Sequence, residues 1–171
     1  MAARLVSAFA WRAMRDADID GVVAVARLAF PDHFEARACF AERLALFPQG
    51  CFALAHGDAV RGYLIAYPWP AGAIPPLDSL LGGLPEARGS VYLHDLALHP
   101  AMRGQGHARP VVEHLAQAAR TWGATTLALV SVNDSVAFWQ GMGFVPVVGD
   151  AAMARKLASY GGDSTYMVRA L

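Results

Sequence analysis

Apolar residues recur along this chain with two different periods, and the places where the period changes mark out its elements. Ser7 to Met14 reads as a first strand. Asp16 and Asp18 then offer a helix N-cap, and Ile19, Val23, Ala26 and Phe30 follow at helical spacing until Pro31 stops the run. A second helix is predicted from Glu35 to Leu46, with Phe40, Leu44 and Phe47 on one face, ended by Pro48 and Gly50. Cys51 to His56, the pair Gly57-Asp58, and Ala59 to Tyr67 read as a β-hairpin with a two-residue turn.

The apolar run Val91 to Leu98 predicts a buried strand closed by Pro100. Beyond a glycine-bearing turn, Val111, Leu115, Ala118 and Trp122 share a helical face, and Gly123 suits the C′ position. Thr125 to Val130 is β-branched and apolar. Asn133, Asp134 and Ser135 supply caps for a short helix through Trp139, closed by Gly141 and Gly143. Phe144 to Val148 and Ser164 to Ala170 predict two last strands, with a short helix between Asp150 and Ser159 broken by Gly161-Gly162. The order is β-α-α-β-β-loop-β-α-β-α-β-β, which predicts one mixed α/β sheet with helices on both faces.

The segment Pro68 to Gly89 has neither period. Its density of proline and glycine excludes a long helix or central strand, yet it carries Trp69, Ile74, Leu77, Leu80, Leu81 and Leu84. Two compatible readings stand: a loop packing its leucines on the core, or a wall over a substrate pocket.

Composition narrows the class. A chain of 171 residues with 56% hydrophobic and 16% charged residues suits one globular domain, residues 1–171, with a substantial core. Formal net charge is zero, which argues against an obligate nucleic-acid partner, and the basic residues form no dense patch for a membrane surface. Cys39 and Cys51 do not suggest a disulfide framework, and no histidine pair has ligand spacing, so no metal is expected. The stretch Met1-Ala2-Ala3-Arg4-Leu5-Val6 is apolar but short and no signal-peptide cleavage pattern follows, which leaves the cytoplasm as the expected location.

The chemistry is concentrated between the strand Val91–Leu98 and the helix that follows. Arg103-Gly104-Gln105-Gly106-His107-Ala108 joins a strand to a helix start, where glycines admit close backbone approach and free N–H groups attract phosphate. A dinucleotide fingerprint is excluded by Arg109 in place of the third glycine and by Ala124, Thr125 and Thr126 near the acidic position. A P-loop is excluded by the missing Gly-Lys-Ser/Thr. The turn instead resembles motif A of the GNAT acyltransferases, Arg/Gln-x-x-Gly-x-Gly/Ala, matched by Arg103, Gly106 and Ala108 after a Leu-Ala-Leu-His-Pro strand end. Asn133, Ala137, Phe138 and Gly143-Phe144 resemble a second motif of the family, and the element order is also that of the GNAT fold.

The resemblance implies acetyl-CoA as co-substrate, lying between splayed parallel strands, here Val91–Leu98 and Thr125–Val130. It further implies that the backbone of Leu96, Ala97 and Leu98 pairs with the pantetheine. The amides of Arg103, Gly104, Gln105, Gly106, His107 and Ala108 would hold the pyrophosphate, while Asn133 bonds the pantetheine arm and Phe138 packs beside it. For Asn133 a plain helix cap is an equal reading.

The local run Tyr92-Leu93-His94-Asp95 looks particularly like the arylalkylamine N-acetyltransferases, whose strand carries two histidines two apart. His94 matches the second and Tyr92 replaces the first, which makes His94 the candidate base and Tyr92 its companion acid. Strict alternation places Tyr92, His94 and Leu96 on one face and Leu93, Asp95 and Ala97 on the other unless a bulge intervenes. Trp139 stands where many members have a tyrosine acid, leaving Tyr160 and Tyr166 as further phenols.

The expected activity is acetyl transfer from acetyl-CoA to a primary amine of a small molecule, by a monomer or homodimer. The alternatives are acetylation of a protein N-terminus or lysine, and a non-catalytic acyl-CoA sensor.

Overall fold

The computed structural model of the chain describes residues 8–86 and 89–171. Ser7 of the expected first strand, the apolar residues 1–6, and Ala87 and Arg88 of the proline-rich loop lie outside them. The strands are β1 (Ala10–Ala13), β2 (Cys51–His56), β3 (Ala59–Pro68), β4 (Ser90–Leu98), β5 (Thr126–Ser131), β6 (Val145–Pro146) and β7 (Thr165–Ala170). They form one sheet in the order β1-β2-β3-β4-β5-β7-β6, in which only the β4–β5 pair is parallel. The α-helices among the described residues are α1 (Ile19–Ala29), α2 (Arg37–Leu46), α3 (Ala108–Thr121), α4 (Val136–Gln140) and α5 (Ala151–Ala158).

Two apolar clusters sandwich the sheet. One packs Ile19 and Val22 of α1 and Phe40 and Leu44 of α2 on Tyr63, Ile65 and Tyr92. The other packs Val112, Leu115 and Ala119 of α3 and Trp139 of α4 on Leu64, Leu93 and Leu127. Leu115 is fully buried, and burying such a side chain contributes about 1.5–3 kcal/mol. The α3 face differs slightly from the predicted one, since Val112, Ala116 and Ala119 are buried while Ala118 and Trp122 lie at the margin.

Two boundaries moved for reasons that matter. The second helix starts at Arg37, so Glu35 stands in the preceding connection with its side chain free to leave the helix direction. The strand predicted over Phe144–Val148 shortens to two residues at Pro146, which has no N–H for the ladder, although Val147 N–H still donates to the Tyr166 carbonyl at 2.9 Å.

The sheet is irregular where it counts. In the β3–β4 ladder Ile65 pairs with Asp95 but Ala66 pairs with Leu93, so His94 is an extra residue, a β-bulge. The bulge overturns the alternation expected from the sequence. Tyr92 and Ala97 belong to the α1–α2 side together with His94 and Asp95, whereas Leu93 and Leu96 pack on the α3 side.

Candidate active site

β4 and β5 are paired only at Ser90–Thr126, Val91–Leu127 and Tyr92–Ala128. β5 continues its ladder with β7 to Ser131, but its contact with β4 ends there, and the two strands diverge. The gap is a cleft of about 330 Å³, walled by Leu93 to Leu98 on one side and Leu129, Val130, Val132 and Asn133 on the other. Among the described residues the β4 edge facing this gap has no strand partner beyond Tyr92, which leaves backbone groups available to an extended ligand.

The glycine turn closes one end of the cleft. Gly104 and Gly106 both have positive φ, +72° and +79°, and a Cβ on either would project into open space. His107 takes the N-cap position of α3, and Leu98, Arg103, Gly104, Gly106, His107 and Ala108 line the adjoining hollow. His107 Nε2 is buried without a partner, while the Trp11 indole donates to the His107 carbonyl at 2.8 Å and fixes the turn. Gln105 points away, donating to the Ala101 carbonyl at 2.7 Å, so only its backbone is placed for a ligand. The turn has the shape, the free donors and the vacant Cβ space that a pyrophosphate needs.

Asn133 and Phe138 also reach the cleft. Asn133 is not the helix cap, a position held by Ser135. It lies in the left-handed region at φ 55°, with its amide 3.4 Å from the Ala29 carbonyl. Phe138 is half exposed, its ring centroid 5.0 Å from that of Trp139, which is itself buried against Phe144.

Beyond His94 and Asp95 the cleft meets a small chamber of about 30 Å³, lined also by Leu77 of the proline-rich loop, Phe30, Tyr92 and Tyr160. Here a cluster of ionisable groups is buried. Glu35 Oε1 lies 2.6 Å from His94 Nε2, and the Tyr67 hydroxyl lies 3.1 Å from His94 Nδ1. The Tyr63 hydroxyl donates to Asp95 Oδ2 at 2.9 Å. Arg43 of α2, almost fully buried, donates to the carbonyls of Cys39 and Ser79 and stands 3.9 Å from Glu35 Oε2. The amide of Asp78 donates to the same Glu35 oxygen at 3.3 Å. The loop therefore helps hold the site, and Tyr160 pins it by donating to the Pro75 carbonyl at 2.5 Å.

Burial alone would push the His94 imidazole down, but the Glu35 and Asp95 carboxylates outweigh it and hold it above the ordinary value. Burial would push Glu35 up, and the charge and hydrogen bond of His94, with Arg43, bring it below the usual carboxylate range. Together these directions describe an imidazolium–carboxylate pair. Asp95 behaves differently: burial, reinforced by Glu35, raises its carboxyl to about 6 against the opposing pull of His94 and Tyr63. Tyr92 is pushed well above the ordinary phenol value by burial first.

Glu35, His94 and Asp95 have ligand atoms within 4.8 Å of one another, the spacing of a cation site. The donor set is already compensated, since His94 bonds Glu35 and the Arg43 guanidinium stands behind it, which disfavours a divalent ion.

The structure thus brings His94 and Tyr92 to the chamber, and Leu96 to Leu98, Arg103, Ala108, Asn133 and Phe138 to the cleft. The sequence reading missed Glu35, Arg43, Tyr63 and Tyr67 and set Asp95 aside. Two signals were present. Arg43 sits beside the apolar face of its helix and demands a partner, and Tyr63 and Tyr67, an even number apart, must share a strand face.

The comparisons with known proteins agree with this geometry. No curated protein matches the chain. Among solved structures, the GphF GNAT-like decarboxylase in complex with isobutyryl-CoA superposes with a TM-score of 0.78 at 20% identity, over 94% of this chain and 98% of that one. Ard1 from Thermoplasma volcanium gives 0.74 at 15% identity, over 96% and 98%. N-acetylglutamate synthase from Neisseria gonorrhoeae, complexed with coenzyme A and N-acetyl-glutamate, gives 0.69 at 19% identity over 95% of this chain and 35% of that one. These likenesses carry the fold, and the sequence profile of the acetyltransferase (GNAT) family matches residues 12–144. The chain belongs to the acetyltransferase (GNAT) family.

Proposed function

We propose that this protein is an acetyl-CoA-dependent N-acetyltransferase whose acceptor is a primary amine of a small molecule. The observation that carries the reading is the junction of two unlike cavities at His94 and Asp95. One is a long cleft running to the glycine turn, the other a small chamber lined by carboxylates and aromatic rings. Coenzyme A fits the first. Its pyrophosphate would rest on the amides around Gly104 and Gly106, and its pantetheine would pair with the free edge of β4 near Leu96 to Leu98; GphF and N-acetylglutamate synthase, which share the fold, are solved with isobutyryl-CoA and with coenzyme A. Asn133 and Phe138 would flank the arm.

An amine entering the chamber meets the thioester where the cavities join. A backbone N–H of the free β4 edge can polarise the thioester carbonyl, and the ionisable cluster built around His94 handles the proton. Tyr92 belongs to the chamber wall and not to the cleft, which supports a role beside the acceptor more than at the departing sulfur. Trp139, buried against Phe144, supplies no acid. A thiol leaves readily without one, since its ordinary pKa is about 8.5.

The chamber holds only about 30 Å³, with Leu77 in its wall and the loop tied down through Tyr160, which favours a small acceptor over a peptide. A buried, balanced set of titratable groups beside the thioester position favours catalysis over passive sensing. The test is a free-thiol assay with acetyl-CoA and a panel of phenethylamine, spermidine, amino acids and short peptides. CoA release that depends on a small amine supports the reading. Release with peptides alone, or tight acetyl-CoA binding without turnover, overturns it.

A further inference from the structure

We propose that Asp95 is the group that takes the proton from the acceptor amine, with His94 and Glu35 as its positioning pair. This inference rests on the N-acetyltransferase reading and goes beyond it by assigning the proton acceptor.

The argument is one of free lone pairs. His94, the candidate base by sequence, has both ring nitrogens engaged, Nε2 with Glu35 and Nδ1 with Tyr67, and its side chain is 3% exposed. Glu35 is engaged at both oxygens as well: Oε1 is bound to His94, and Oε2 faces the Asp78 amide and Arg43. Asp95 is different. Tyr63 occupies Oδ2, while Oδ1 receives no hydrogen bond from any described residue, and the side chain borders both the cleft and the chamber.

The bulge at His94 makes this possible. In a regular ladder Asp95 would face α3 and the opposite core; the extra residue turns it to the acceptor side next to His94.

The groups facing Asp95 set its charge. His94 stands beside it on β4, Tyr63 opposite on β3, Glu35 and Arg43 behind on the α1–α2 side, and Tyr92, Tyr160 and His33 share the chamber. Burial, the largest effect, disfavours a charge on Asp95, and the Glu35 carboxylate adds to it while His94, Tyr63 and Arg43 oppose it. The carboxyl is accordingly raised to about 6, ionised near neutral pH yet a stronger base than an ordinary aspartate.

The reaction then balances. The acceptor enters as an ammonium, and one N–H proton moves to Asp95 Oδ1, leaving the nitrogen lone pair free. That pair forms the bond to the thioester carbonyl carbon, and the C–S bond breaks with its electrons going to sulfur. The second proton leaves nitrogen for the thiolate to give the amide and CoA–SH. Asp95 returns its proton to solvent.

Asp95→Asn keeps an oxygen for Tyr63 and nearly the same volume, so it removes basicity with little else. The probe is whichever amine of the panel above the wild type acetylates, followed across pH. The wild-type kcat/KM should level off above about 6, the value to which the Asp95 carboxyl is raised. The variant should lose roughly 100- to 10,000-fold in kcat at neutral pH. Its residual rate should climb in proportion to the free-amine fraction, because only amine already neutral can react. Acetyl-CoA affinity by calorimetry should stay at the wild-type value.

Tyr63→Phe gives a second reading that does not depend on Asp95→Asn folding. Losing the phenol's hydrogen bond removes a force holding the carboxyl down, so the acidic limb should move upward with the limb itself retained. A near-normal rate and unchanged limb in Asp95→Asn, or an unmoved limb in Tyr63→Phe, overturns the assignment alone. If no amine releases CoA from the wild type, the N-acetyltransferase reading falls and takes this one with it.

Discussion

Glu35 and His94, 59 positions apart in sequence, meet with Oε1 2.6 Å from Nε2, and this contact joins the α1–α2 connection to the bulged strand. Both partners are buried, so their charges depend on each other and on Arg43.

The pH dependence of stability should show this pair. His94 is raised in the folded protein, so its contribution is fully present below its ordinary value of 6.5 and is lost as pH rises through the higher folded value. Glu35 is lowered, so its contribution is present above 4.5 and is lost as pH falls through the folded value. The two overlap fully between about 4.5 and 6.5. Thermal melts of wild type and Glu35→Gln should therefore differ most in that window, by about 2 kcal/mol for a charge-assisted bond, and converge as the medium becomes alkaline. Asp95 contributes to the difference, because losing the Glu35 charge removes one of the forces that raise its carboxyl. Glu35→Ala, which strands His94 and Arg43, should cost more, about 3–5 kcal/mol.

The glycine cradle makes a separate prediction. Gly106 has φ +79° and open space where a Cβ would stand. Alanine there combines backbone strain of about 1–2 kcal/mol with a methyl group in the phosphate seat, and Gly106→Glu adds a repelling charge. Acetyl-CoA at 100 times its dissociation constant should stabilise the wild type by about 2.7 kcal/mol. That stabilisation should be absent from Gly106→Glu in a thermal scan. An equal shift in the variant would mean that phosphate does not bind at this turn.

The glycine turn was legible in the sequence because its pattern is local: two glycines, a strand before them and a helix after. The order of elements along the chain was legible for a similar reason, since period-two and period-3.6 runs alternate cleanly. The ionisable cluster was not. Glu35 looked like the first residue of a helix and Arg43 drew no reading at all, and their burial follows from how α2 and the proline-rich loop pack beside β4. Asp95 was read onto the wrong face because one inserted residue reverses every side chain after it. Nothing in Leu93-His94-Asp95 announces a bulge; it appears only in the register with β3.

Asn133 distinguishes a conformational role from a ligand-binding one. Its left-handed backbone, φ 55°, is one that glycine adopts freely and alanine does not. Asn133→Gly should preserve the turn while removing the amide, weakening acetyl-CoA by roughly 2- to 10-fold, the worth of one ordinary hydrogen bond. Asn133→Ala should lose that and some stability as well. Calorimetry showing wild-type affinity in Asn133→Gly would leave the residue a purely conformational part.

The proline-rich loop should govern acceptor choice through Leu77. Leu77 lines the chamber and is not among the residues of the cofactor cleft, which ends at His94 and Asp95. Deleting part of the loop would be a poor test. It would also remove the Asp78 amide from Glu35 and the Ser79 carbonyl from Arg43, disturbing the charge cluster along with the wall. Leu77→Ala leaves those backbone contacts in place and widens a chamber of only about 30 Å³. A methylene-sized change in an apolar pocket is worth about 1–3 kcal/mol, or roughly 10- to 200-fold in kcat/KM. Slender amines should lose contact and show a higher KM, while branched amines gain relative to them. Acetyl-CoA affinity should stay within twofold of wild type, about 0.4 kcal/mol at most. Parallel losses for the amine and for acetyl-CoA would mean that Leu77 supports the whole fold, and the determinant of acceptor size would then lie with another lining residue such as Phe30.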